Sequence, residues 1–149
     1  KKAEAGDPEA MCDLSKWYVA GSNGLHKDDK QAYVWCSKAA DSYCFDGMAG
    51  KGMMLYHGQG VDQDEVAGTA LLVMAACNDH PFACYFLGHE YYYGISGLPQ
   101  DHKLAKYWLR KAHDLVQDDG IRSTCMTDDD FEDCETMLKE LEGASQLES

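Results

Sequence analysis

Hydrophobic positions along this chain recur at helical intervals, and they do so in three successive blocks. In DPEAMCDLSKWYVAG, residues Ala10, Leu14, Tyr18 and Gly21 fall at i, i+4, i+8 and i+11, one face of a helix. HPFACYFLGHEYYYG repeats that face with Ala83, Leu87, Tyr91 and Gly94, and DGMAGKGMMLYHG ends on the matching Gly58. Gly21, Gly58 and Gly94 therefore lie 37 and 36 residues apart. A short turn follows each glycine and reaches an aspartate: Asp28, Asp64 and Asp101. A second helical segment then keeps its columns in register. These are Ala32, Gly68 and Ala105; Trp35, Leu71 and Trp108; and Ala39, Ala75 and Ala112. Two helices per period of this length are the mark of a stacked helical repeat, each unit burying what its neighbour exposes.

Local signals set the ends of the helices. Asp7-Pro8 and His80-Pro81 are helix starts, with proline in the first turn where no hydrogen bond is lost. The column glycines suit left-handed caps at the end of each first helix, and the three aspartates cap the second helices. Ser15, Gly52 and Gly88 form a column of small residues that lets a neighbouring helix come close. The middle block departs from the pattern. Lys51 stands in a leucine column, Leu55 in a tyrosine column and Gly68 in an alanine column. Its first helix also carries Gly47, Gly50 and Gly52, each costing roughly 0.8–1 kcal/mol relative to alanine, which marks it as the soft point of the array.

ACYFLGHEYYYG, SGLPQD and LAKYWLRKA resemble the pattern of the Sel1-like repeat family, relatives of the tetratricopeptide repeats. The resemblance implies an all-α fold, a right-handed α-α superhelix of about three helix pairs plus a C-terminal capping helix. The pairs are placed at about 7–41, 45–76 and 80–113. Lys2-Ala3 falls 36 residues before Lys38-Ala39, so residues 1–6 read as the end of a preceding repeat and the chain as a piece of a longer protein. Residues 114–149 are expected to form an acidic linker and the capping helix. Phe131, Cys134, Met137, Leu138 and Leu141 make its apolar face, and Asp128, Asp129 and Asp130 sit at its positive end.

Charge narrows the partners. The 149 residues hold 26 acidic and 13 basic side chains, a net charge of −13, with 45% hydrophobic residues to build a core. Nucleic acid is not expected, because phosphate binding needs clustered Lys and Arg. No membrane span is expected either, since the longest apolar run, Ala70 to Cys77, is far below the ~20 residues required. The acidic balance favours a protein or peptide partner with basic residues.

Catalytic patterns are missing: no Gly-x-Ser-x-Gly elbow, phosphate-binding glycine loop or His-Glu-x-x-His. No metal ligand set or cofactor motif stands out, so a non-enzymatic protein without a cofactor is expected. Some cysteine-rich relatives in the resembled family are β-lactamase-like, but the Ser-x-x-Lys nucleophile motif is absent here. Those relatives also pair cysteines between the end of one helix pair and the start of the next; Cys84 stands at the second of those positions and Cys77 one residue past the first, so the resemblance allows a Cys77–Cys84 bridge. The spacing fits that pattern irregularly and favours reduced thiols and a cytoplasmic setting. Paired cysteines would point instead to a secretory or mitochondrial intermembrane compartment.

In arrays of the resembled type the first helix of each pair lines the concave surface. One step round from the core stripe stand Asp13 and Trp17, Met54 and His57, and Phe86, Glu90 and Tyr93. Aromatic and acidic side chains on one stripe have the composition of a peptide groove. The function expected is an adaptor segment that binds a partner there; a structural spacer is the alternative. The edge formed by Met11, Trp17 and the Ala10–Leu14–Tyr18 stripe is a further expected site of self-association.

Overall fold

The three turn aspartates do the same work in each repeat. In the computed structural model, which describes residues 1–118 and 126–147, Asp28 accepts from the amide of Gln31 at 3.0 Å, starting α2 (Asp29–Asp41). Asp64 accepts from Ala67 at 2.9 Å and starts α4 (Glu65–Cys77). Asp101 accepts from Lys103 and Leu104 at 2.9 and 3.0 Å and starts α6 (His102–Asp118). Their own amides reach back to the carbonyls of Tyr18, Leu55 and Tyr91, each at 2.9 Å. One residue thus closes the turn and caps the next helix.

The preceding helices are α1 (Pro8–Ala20), α3 (Phe45–His57) and α5 (Pro81–Tyr93). Gly21, Gly58 and Gly94 end them at φ of 64°, 68° and 68°. At Gly94 glycine is needed twice, because a Cβ would meet the backbone nitrogen of Gln100 at 2.8 Å in addition to the left-handed strain. Helix starts also share a column. Asp7 accepts from the amides of Glu9 and Ala10, and the His80 Nδ1 accepts from Ala83 at 3.2 Å. Cys44 occupies the equivalent position before α3. Each of the three follows a left-handed residue, Gly6, Tyr43 or Asp79.

The chain divides into two compact units, Lys1–Ala75 and Ala76–Ser149. In the first, Ser15 on α1 donates to the Ala32 carbonyl of α2 at 2.8 Å. The corresponding crossing of α3 and α4 is tighter: a Cβ on Gly52 would stand 2.9 Å from the Gly68 carbonyl oxygen. The small-residue column therefore sets helix-to-helix distance, as its sequence predicts. The alanine column Ala39, Ala75 and Ala112 is fully buried at every repeat. Trp35 and Trp108 are half-buried, each with a lysine three residues on, Lys38 or Lys111, over its ring at 4.3 and 5.4 Å.

In the second unit, α6 buries Ala105, Leu109, Ala112 and Val116. It continues to Asp118, past the last repeat column. Residues 119–125 of the acidic linker lie outside the described residues. α7 (Asp128–Leu147) begins with a reciprocal cap, in which Thr127 donates to the Asp130 carboxylate and the Asp130 amide returns a bond to the Thr127 hydroxyl at 3.1 Å. Its expected apolar face is buried at Cys134, Met137, Leu138 and Leu141, and Phe131 stacks on His113 at 5.4 Å. Among the described residues there are seven helices and no strand.

Candidate partner-binding site

The seven stripe residues do not share one environment. Asp13 and Trp17 are exposed on α1, His57 is exposed at the end of α3, and Tyr93 is exposed at the end of α5. Met54, Phe86 and Glu90 are buried, a correction to the expected groove. Met54 takes a contact from the Cys36 thiol at 3.7 Å inside the first unit, where its flexible thioether fills the space beside Ala32. α5 is apolar on every side, so burial extends beyond one stripe and takes in Phe86 and Glu90. Glu90 is 2% exposed and lies 3.3 Å from the His89 Nδ1.

α5 spends its remaining polar groups on α7. Tyr85 donates to Asp133 at 2.9 Å and Tyr92 donates to Glu140. Accepting that proton in a hydrogen bond, the Glu140 carboxylate holds the Tyr92 hydroxyl up at about 12. Burial, then Asp133, raises Tyr85 as well. These tyrosines tie α5 to α7 within the second unit, Tyr85 through a half-buried bond and Tyr92 through an exposed one.

On α1, by contrast, Trp17 is 40% exposed and lines a pocket of about 310 Å³ with Ala3, Ala10, Asp13 and Leu14. Lys1 and Lys2 complete the lining. A second open surface was not among the expected sites. Lys103, Lys106, Tyr107, Arg110, Asp114 and Leu115 of α6 line a groove of about 580 Å³ in which Tyr107 is 57% exposed. Arg110 is engaged by Glu142, and Lys111 by Asp79 at 2.8 Å. Among the described residues neither Lys103 nor Lys106 is paired. The signal was present in LAKYWLRKA, whose cations recur at helical spacing, but a net charge of −13 conceals a local excess of the other sign.

The Cys77–Cys84 bridge is not formed. The Cys84 thiol points into the second unit toward the Ala76 carbonyl at 3.5 Å, whereas Cys77 ends α4 on the surface. Burial pushes the Cys84 and Cys134 thiols up to about 12 and Cys36 to about 11. Alkylation of the native chain at neutral pH is expected to label Cys77 and to spare Cys84 and Cys134 until denaturant is added, read by peptide mass mapping. Rapid native labelling of Cys134 would contradict its burial between α7 and α6. Among the described residues no three metal-ligating side chains gather, and no helix is long and apolar enough to cross a membrane.

Three stretches, residues 8–43, 46–80 and 81–115, match the family model of the Sel1 repeat. The chain belongs to the Sel1 repeat family. Each matched stretch of the Sel1 array corresponds to one helix pair, α1 with α2, α3 with α4, and α5 with α6, leaving out only Phe45 and the last three residues of α6. Protein SHC1 of Saccharomyces cerevisiae is 32% identical over 119 residues, covering 78% of this chain and 23% of its own length. HRD3B of Arabidopsis thaliana, an ERAD-associated E3 ubiquitin-protein ligase component, is 34% identical over 101 residues, 67% of this chain and 15% of its own. The chain thus spans less than a quarter of either relative. A Sel1 repeat protein from Oxalobacter formigenes superposes with a TM-score of 0.66 at 34% identity, covering 74% of this chain and 83% of that one. The antigen c5321 of uropathogenic Escherichia coli strains, which displays an SLR fold, gives 0.67 at 28% identity over 75% of this chain and 24% of its own. The fold is therefore the all-α solenoid of Sel1 repeats.

Proposed function

We propose that this chain is a protein-binding segment of the adaptor kind, non-enzymatic, that holds a peptide or a protein loop on α1. The observation that carries the reading is the Trp17 pocket. A large aromatic side chain, 40% exposed on a helix, borders space lined by Ala3, Ala10 and Leu14, with the Asp13 carboxylate and the Lys1 and Lys2 side chains at its edge. Binding energy concentrates on such aromatic anchors, and tryptophan is enriched among them. The overall negative charge speeds the approach of basic partners. Membership of the Sel1 repeat family supports a scaffold role, and one relative is described as a component of a ligase assembly. The α6 groove, with Lys103 and Lys106 unpaired among the described residues beside Tyr107, supports a second surface for an acidic segment.

Selection of a random peptide library on the folded chain tests both surfaces. Peptides combining an apolar residue with Lys or Arg are expected, and Trp17→Ala should weaken them at least tenfold, the ~1.4 kcal/mol of a modest hot spot. Acidic peptides should be lost on Lys103→Glu with Lys106→Glu. Basic peptides that bind Trp17→Ala unchanged would remove α1 from the reading. A chain that enriches no peptide would instead be a spacer.

A further inference from the structure

Cys12 and Cys44 are 32 residues apart in sequence, yet their sulfurs stand 3.5 Å from each other. The repeat brings them together. Cys12 faces inward from α1 in a cluster with Ala3, Met11 and Ala39, and Cys44 packs against that cluster. Cys44 is placed by the end of α2, where the Ser42 amide bonds back to Lys38 and Ala39, Tyr43 turns left-handed at φ 58°, and the Cys44 amide returns to Ala39 at 3.1 Å. It then serves as the first residue before α3, in the column that Asp7 and His80 occupy in the other repeats. The sulfur is thus held at a helix start, where amides point outward and negative charge is favoured.

We infer that Cys12 and Cys44 form a thiol–disulfide exchange site that closes to a bridge between α1 and the start of α3 when the protein meets a small-molecule disulfide of the glutathione class. The roles of the two sulfurs are unequal. Cys44 is half-buried and reachable, whereas Cys12 is buried. The Cys12 thiol donating to the Cys44 sulfur, helped by the Gly47 and Asp46 amides, lowers Cys44 to about 6, and the same contact raises Cys12. Asp46 on α3 opposes the charge on the pair, and Lys16 on α1 favours it at Cys12.

The Cys44 thiolate attacks one sulfur of the reagent, forming a mixed disulfide and expelling one thiolate. Cys12 then gives up its proton to that thiolate and attacks the Cys44 sulfur, expelling the second. Two protein thiols lose two electrons to the reagent, which leaves as two thiol equivalents once the second has taken up the proton released when Cys44 ionised. From the 3.5 Å contact the sulfurs must approach by about 1.5 Å to reach bonding distance, a side-chain rotation with a small helix shift. The bridge encloses the whole of α2 and fastens α1 to the next repeat. The inference stands independently of the binding reading, because neither Trp17 nor the α6 groove takes part.

The test uses the 149-residue chain in mixtures of reduced and oxidised glutathione, followed by acid quenching, alkylation and digestion without reductant. A cross-linked peptide joining Cys12 to Cys44 is expected, and it should be restored to two alkylated peptides by dithiothreitol. In Cys12→Ser the glutathione adduct on Cys44 should persist, while in the parent chain it is resolved and lost. Cys77→Ser combined with Cys125→Ser removes the competitor exposed among the described residues and the cysteine outside them, and should leave the cross-link intact; helical circular dichroism identifies any variant that has not folded. Cys12 and Cys44 both recovered as alkylated thiols, with glutathione only on other cysteines, would overturn the inference. So would a Cys44 adduct equally persistent in the parent chain and in Cys12→Ser.

Discussion

Leu109→Ala is expected to destabilise the second unit by about 3 kcal/mol, within the range measured for buried leucines. Leu109 is fully buried on α6. Its branch fills the space left by the missing side chain of Gly88, where a Cβ would meet Leu109 Cγ at 2.5 Å and Cδ2 at 2.7 Å. Its carbonyl accepts the Cys134 thiol at 3.3 Å, so the same residue seats α7. Glycine on one side cannot expand to refill the hole, which keeps the cost from falling to the bottom of the range. A domain is stable by only roughly 5–15 kcal/mol, so the loss is a large fraction. Urea unfolding followed by circular dichroism measures it. Leu109→Met, which preserves volume, should cost less than about 1.5 kcal/mol. A Leu109→Ala chain within experimental error of the parent would mean that α5, α6 and α7 do not meet at this residue.

The second large effect separates glycines that look alike in the sequence. Gly52→Val is expected to cost roughly 2–3 kcal/mol, the upper part of the overpacking range. Its Cβ would lie 2.9 Å from the Gly68 carbonyl oxygen and 3.0 Å from Leu72 Cγ. The opposite Gly68 would meet Gly52 oxygen and Tyr56 nitrogen at 2.7 Å. Backbone faces backbone there, and the helices must separate to admit a side chain. Helix propensity works the other way, but its gain of at most ~1 kcal/mol is smaller than the clash. At Gly50 the balance reverses. The nearest atom to a Cβ is Cys36 Cβ at 3.6 Å, an ordinary contact. Gly50→Ala should therefore stabilise the first unit by roughly 0.5–1 kcal/mol. Thermal unfolding of the two variants should move in opposite directions, and a shift of the same sign in both would refute the packing described for α3 and α4.

These glycines refine the picture of a soft middle repeat. The sequence counts three helix-weakening residues there, but Gly47 and Gly52 are sites of close approach. A Cβ at Gly47 would meet Ala39 Cβ at 2.6 Å. Only Gly50 bears the propensity cost without a packing return. Composition cannot tell the two kinds apart, because the difference lies in what stands opposite.

What the sequence determined by itself was whatever repeats every 36 or 37 residues. The aspartate caps at Asp28, Asp64 and Asp101, the left-handed glycines, the buried alanine column and the family were all legible, whereas the extension of α6 to Asp118 was not. Each depends on groups a few residues away, or on a neighbour that the same pattern supplies. Tertiary structure decided the rest. Phe86 and Glu90 looked like groove residues because helical spacing specifies which residues share a face, not whether that face is covered. On an apolar helix such as α5 the covering is broad. The basic groove of α6 was hidden in a chain-wide charge sum. Cys12 and Cys44 meet only because a left-handed turn at Tyr43 returns the chain to α1, across 32 residues that no local spacing rule connects. Periodicity encodes contacts within the repeated unit. Contacts between unlike columns depend on how closely the helices approach, and that distance is set by the side chains on both.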